Sequence, residues 1–269
     1  MIPGLSLGAE QNLRRILHPD LTSVDESTYA EADYLLLTGR EPAALALGVE
    51  QIGEGPDLVV AVRDPARPVG AVRVQTVQPG VLLFLDNLAW CGNLQASVRV
   101  LGADSALLFH DIGPGFVGLD VFLRGERQVL FWGVGATAAS CNIELEGADH
   151  AVAVGDDALI SNGVWLRNHD MHALHDLATG ARIGRAPVSM RLERHVWLGQ
   201  DALLLGCERV GMGAVVGARA LVKADVPPRV IVGGVPARVL REGVSWGRDV
   251  GGMTAAERRG IGLPDRPGD

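Results

Sequence analysis

The chain has 269 residues, 48% hydrophobic and 4% aromatic, with 35 glycines and a formal net charge of −8. That length allows one or two domains, and the negative charge argues against nucleic acid or an anionic membrane as a general partner, so any polyanion must meet a local cluster of bases. Cys91, Cys141 and Cys207 fit no metal or redox spacing and are expected as reduced, mostly buried thiols. With no leader-like segment and no apolar run of about 18 residues, the expected location is cytoplasmic with no transmembrane segment.

In chain order, Leu13, Arg14, Arg15, Ile16 and Leu17 predict a short helix within the first stretch of mixed apolar and basic residues. Residues 25–48 predict helix in two pieces, with Pro42 at a break or in a first turn. From Leu58 to Val77 the pattern is β-rich, with a hairpin-like DPARPVG at 64–70. Between Val81 and Gly147 apolar pairs recur between Gly, Asp and Asn at irregular spacing, which predicts degenerate coils of a repeat. These readings divide the chain into an N-terminal α/β extension (1–95), a coil domain (96–243) and a tail (244–269).

The repeat is explicit from Leu192 to Val222: LERHVW, LGQDAL, LLGCER, VGMGAV, VGARAL, then Val222. An aliphatic residue opens each unit at 192, 198, 204, 210, 216 and 222. A period of six matches neither a helix nor a single strand; it matches short strands ended by tight turns, coiling into a parallel β-helix. Each opening aliphatic points inward, sharing the interior with Ala202, Ala214 and Ala220 four places on. Glu208 falls in such an inward slot, requiring either a bulged turn or a partner for the carboxylate. Upstream, Val154, Ile160 and Leu166 keep the register, with Ala158 and Val164 in the small slot. Residues 168–190 break it, and a long loop ejected from a regular scaffold points to function. Downstream, the chain leaves through Pro227 and Pro228, returns as VIVGGVPARVLR, and ends in a polar tail with a helix capped by Thr254 and a disordered-looking LPDRPGD.

Four segments in order, DMHALHDLATGARI (170–183), HVWLG (195–199), VGARALVKADVPP (216–228) and GGVPARVLR (233–241), resemble the hexapeptide-repeat acyltransferases, especially sugar and polysaccharide O-acetyltransferases. The likeness covers roughly residues 130–243. It implies a mainly β fold: a left-handed parallel β-helix with an N-terminal α/β extension, an ejected active-site loop and a short helical tail. It also implies a homotrimer with each site between two chains, acetyl-CoA as the co-substrate, and a glycan or small-molecule acceptor. His172, in Asp170-Met171-His172, takes the position of the general base, since an alcohol needs its proton removed and imidazole titrates nearest neutrality. Asp170 or Asp176 orients an imidazole. Trp197 walls the acceptor pocket, with Asn168 and His175 beside the acceptor. Gly199, Gln200, Gly217 and Ala218 lend amides to the pantetheine arm or the thioester oxyanion, Ala218 foremost. Lys223, Arg238 and Arg241 meet the coenzyme phosphates.

Alternatives remain at this level. An amino-sugar N-acetyltransferase uses the same helix. His169, His172 and His175 raise a metal hydratase of the γ-carbonic-anhydrase kind, although their three-residue spacing in an irregular loop argues against it and no metal is expected. A scaffold that has lost catalysis would be expected to lack both the loop histidine and the basic exit segment.

Overall fold

The six-residue period becomes a stack of coils in the computed structural model, which describes residues 5–24, 29, 34–170 and 172–264. Leu192, Leu198, Leu204, Val210, Val216 and Val222 all face inward at 2% exposure or less, with Val196, Ala202, Ala214 and Ala220 between them. Three units make one coil of 18 residues, so Leu192 pairs in parallel with Val210, Trp197 with Val215 and Leu203 with Leu221. Each corner places its fourth residue in the left-handed region: Asp157, His195, Asp201 and Arg219 all have φ between 56° and 58°. At Glu208 the turn slides by one residue. Cys207, 2% exposed, fills the inward slot, while the Glu208 and Arg209 amides donate to the Asp225 carboxylate and Glu208 faces solvent.

Among the described residues the coils form an eight-stranded and a thirteen-stranded sheet. The first is one face of the prism, running from Leu35–Thr38 to Arg209–Val210. The second bends into two faces. The strand Thr137–Leu145 pairs with both Leu159–Ile160 and Val164–Arg167, and residues 161–163 form the corner between them. Below this point the second face carries Trp197–Leu198, Val215–Val216 and Val230–Gly233, and the third carries Leu203–Leu205 and Leu221–Val222.

The parallel register runs through residues 95 and 96, so the coil stack reaches well upstream of the expected boundary. Val59, Leu82, Ala106, Val129 and Ala151 are successive partners, 23, 24, 23 and 22 residues apart. These coils are longer because their strands are longer, which hides the sixfold spacing. DPARPVG is correspondingly a coil corner and not a hairpin: the strands on either side, Val59–Val62 and Gly70–Thr76, lie in different sheets. Residues 35–38, expected as helix, form a strand, because the open edge of the first face pairs them antiparallel with Val59–Val62. The second helical piece is present as α2 (Pro42–Leu47) with Pro in its first turn; residues 25–28 and 30–33 lie outside the described residues.

Helix α1 (Leu7–Ile16) is capped by Ser6, whose side chain accepts from the Ala9 amide. Its Ala9, Leu13 and Ile16, together with Tyr29, close over the outer surface of the first face, packing with Leu82, Phe84, Leu108, Phe131 and Ala153. The first face is therefore buried on both sides. At the other end α3 (Ala255–Gly260) begins with a capping box of Thr254 and Glu257, and residues 265–269 of the polar end lie outside the described residues. No helix among the described residues is long and apolar enough to cross a membrane.

Candidate active site

The loop leaves the prism after Arg167 and re-enters at Met190. Its neck is held by Asn168, which is 1% exposed. The Asn168 Oδ1 accepts from the Glu146 amide at 2.9 Å, and Nδ2 donates to the carbonyls of Glu146 (3.1 Å) and Val188 (3.0 Å). The substrate contact expected of Asn168 is thus replaced by a clamp that joins both ends of the loop to the preceding coil. His169 is also buried, and that burial lowers its pKa. Beyond it the loop forms a small hairpin, Leu174–His175 against Arg182–Ile183. Asp176 serves the hairpin turn, accepting from the Ala178 and Thr179 amides and the Thr179 hydroxyl. The Thr179 bonds hold its carboxyl below the usual range. Asp176 therefore caps a turn instead of orienting an imidazole. His175 lies in the same hairpin with Nδ1 3.3 Å from the Gly180 carbonyl.

His172 is exposed at the approach to this hairpin, its amide donating to the Asp170 carbonyl at 2.6 Å. The Asp170 carboxylate reaches across to Gly184, where a Cβ would stand 3.3 Å from Oδ2. Asp170 lines a cavity of about 310 Å³ with Asn168, His169, Arg185, Gly206 and Lys223. Arg185 donates to the Lys223 carbonyl at 2.9 Å, tying the far arm of the loop to the next coil. Lys223 therefore stands beside the loop, and Arg238 and Arg241 lie on the hairpin of Val230–Gly233 and Arg238–Glu242.

The next corner, between the second and third faces, sorts the candidate amides. Gly199 N–H donates to the Val216 carbonyl at 2.7 Å and Gly217 N–H to Val232 at 2.8 Å, so stacking consumes both. Gly199 is required by the stacking itself: a Cβ there would lie 2.6 Å from the Ala218 nitrogen. The donor role expected of Gly199 and Gly217 is thus not open to their own amides. At equivalent corners the amide of the residue after the first corner position bonds outside the strand ladder, Asp156 to the Leu21 carbonyl, Arg194 to that of Asp20 and Met212 to the Glu193 carboxylate. Gln200 and Ala218 occupy the same position and are exposed.

Trp197 is 36% exposed on the second face and donates its Nε1–H to the Ser161 hydroxyl at 3.2 Å. Its column continues through Val215 and Ile231 to Arg241, about 14 Å away at ~4.8 Å per rung. Arg238 pairs with Gly233 at the end of the same hairpin and is exposed like Arg241. Trp197 and the two arginines share a face, whereas His172 belongs to the loop beyond the third face.

His169, buried, is not gathered with His172 and His175 into a metal cluster. Among the described residues, the group of three metal-capable side chains whose ligand atoms approach within 4.8 Å is Asp157, His195 and Glu257. Both ring nitrogens of that histidine are already engaged, with Asp157 Oδ2 at 2.6 Å and the Trp246 carbonyl at 2.7 Å. The ring stacks on Trp246, centroids 4.2 Å apart and planes 6° from parallel, and Trp246 in turn lies 5.9 Å from Trp197. Sequence reasoning gave no role to His195, Trp246 or Arg248. The available signal was a tryptophan stranded in a polar tail.

The solenoid matches the left-handed β-helix of acetyltransferases: the crystal structure of the polySia specific acetyltransferase NeuO superposes with a TM-score of 0.62 at 21% identity, covering 78% of this chain and 91% of that one. In sequence, the chain is 33% identical over 96 residues to the galactoside O-acetyltransferase of Escherichia coli (strain K12), covering 35% of this chain and 45% of that enzyme. It is 27% identical over 154 residues to WbbJ of the same organism, named a putative lipopolysaccharide biosynthesis O-acetyl transferase, covering 52% and 73%. The chain thus spans less than half of the first of these relatives. No known family profile matches it. Its homologues are acetyltransferases, O-acetyltransferases among them.

Proposed function

We propose that this protein is an acetyl-CoA-dependent O-acetyltransferase whose acceptor is the hydroxyl of a sugar or polysaccharide. The observation that carries the reading is the ejected loop: its neck is clamped by Asn168 and it carries an exposed His172, while exposed Gln200 and Ala218 stand at the corner between the second and third faces. Homology to O-acetyltransferases supports the reaction class.

In the proposed reaction His172 takes the proton from an acceptor hydroxyl, whose oxygen attacks the thioester carbonyl of acetyl-CoA. The Ala218 N–H stabilises the tetrahedral oxyanion. Collapse of that intermediate breaks the carbon–sulfur bond, and His172 returns the proton to the departing thiolate. Arg238 and Arg241 meet the coenzyme phosphates, as guanidinium forks suit them. Trp197 offers the sugar a flat apolar wall. Because the third face separates the loop from the Ala218 corner within one chain, the site is completed by a neighbouring copy in a trimer. Those copies meet through the second and third faces, since α1 and Tyr29 cover the first.

Calorimetric titration with acetyl-CoA tests the donor half directly. The expected result is saturable binding at one per chain, weakened by Arg241→Ala; no binding at millimolar donor would discard the mechanism.

A further inference from the structure

The second tryptophan, in the tail, is built into the coil with more care than a polar C-terminal segment needs. Trp246 is 7% exposed. It exchanges two hydrogen bonds with His195: its Nε1–H donates to the His195 carbonyl at 2.8 Å, and its own carbonyl lies 2.7 Å from His195 Nε2. The neighbouring residues are tied down as well. Val244 donates its amide to the Arg229 carbonyl, and Ser245 its hydroxyl to the Gly213 carbonyl. Arg248 reaches over the corner to Asp157 Oδ1 at 2.6 Å, to the Thr137 hydroxyl, and to the carbonyls of Gly135, Asp157 and Ala158. Glu257 then accepts from the Arg248 amide, locking α3 into the same unit.

These bonds fix the segment that carries the Trp246 ring. One face of Trp246 is spent on His195, in a near-parallel stack, and the ring also meets Trp197 at a 51° tilt. Trp197 is fixed by the Ser161 hydroxyl at its nitrogen and by Trp246 at its flank. A half-exposed indole without such a neighbour would sample several rotamers.

We infer that residues 244–257 form a strap whose Trp246 is a positioning residue: it holds the Trp197 ring in one orientation as the wall of the acceptor site, with His195 and Arg248 fastening the strap to the coil. The inference rests on the proposed role of Trp197 and deepens it. The strap acts through Trp197 and touches no reacting atom.

Acrylamide quenching of the ligand-free full chain tests it. The Trp197 contribution is obtained by difference from the same variant carrying Trp197→Phe. Trp246→Ala is expected to raise quenching of Trp197 about two-fold, and Trp246→Phe, which retains a stacking ring, to leave it near the wild-type value. With acetyl-CoA and whichever of p-nitrophenyl β-galactoside or polysialic acid the wild type acetylates, Trp246→Ala should raise the acceptor KM about five-fold with kcat within about two-fold. Trp246→Phe should rescue KM. Unchanged Trp197 quenching in Trp246→Ala overturns the inference whatever the activity. A changed quenching with unchanged acceptor KM overturns the link from strap to acceptor. Failure of the wild type to bind acetyl-CoA would instead overturn the proposed function and leave the quenching result intact.

Discussion

Replacing Asn168 with Leu would remove the clamp at the neck of the loop while nearly conserving volume. Three hydrogen bonds are lost, from the Glu146 amide and to the Glu146 and Val188 carbonyls. Each is worth about 1 kcal/mol net, and leaving a buried partner unpaired costs more, about 1–3 kcal/mol. The side chain is 1% exposed, yet the Val188 end lies toward the loop, where water can replace part of what is lost. The expected destabilisation is therefore about 2–4 kcal/mol, at the low end of summing three unpaired groups. Urea unfolding gives the stability change, and limited proteolysis shows whether cleavage concentrates within 168–190. We expect both effects, together with loss of acetyl transfer, because His172 lies four residues beyond the clamp. A destabilisation below about 0.5 kcal/mol, with unchanged proteolysis, would refute the reasoning.

A second expectation concerns acid. Burial disfavours the charged form of Asp157, but hydrogen bonds from His195 and Arg248 outweigh it and hold the carboxyl below its ordinary value of 3.8. A depressed folded-state pKa means that its stabilisation is complete above the ordinary value and is lost as pH falls through the folded one. The strap should therefore loosen, read by proteolysis within 244–260, only below about pH 4, and Asp157→Asn should loosen it at neutral pH; identical pH profiles for the two proteins would contradict this. Thiol chemistry gives a third. Cys91 is exposed, whereas burial raises the pKa of Cys141 and pushes that of Cys207 up to about 12. Iodoacetamide should label Cys91 alone in the native protein, and mass spectrometry finding Cys207 labelled at a comparable rate would contradict the inward slot assigned to it.

The lower coils were legible because each requirement of the fold leaves its own mark: an inward aliphatic, a small residue four places on, and Gly at crowded corners such as 199. The upper coils use strands of up to nine residues, as in Thr137–Leu145, so the corners drift apart and the period fades. Leu35–Thr38 was illegible for another reason. Two of its residues remain exposed, and its strand form comes from pairing with an edge distant in sequence, which no local pattern records. The break in the repeat located the loop that leaves the prism, but sequence could not separate the amides spent on stacking from the exposed ones. Gly199 and Ala218 look equivalent in a motif; the coil geometry distinguishes them. The strap was missed because the bonds that Trp246 and Arg248 make to the coil join the tail to corners 51 to 113 residues away.

The role of His172 as the base for acetyl transfer is decided by comparing wild type with His172→Ala. Both are assayed for transfer from radiolabelled acetyl-CoA to sugar acceptors and titrated with acetyl-CoA. His172→Ala should lower kcat by about 10²–10⁴-fold, the usual contribution of a general base, with coenzyme binding unchanged. Transfer at the wild-type rate in the variant would contradict it.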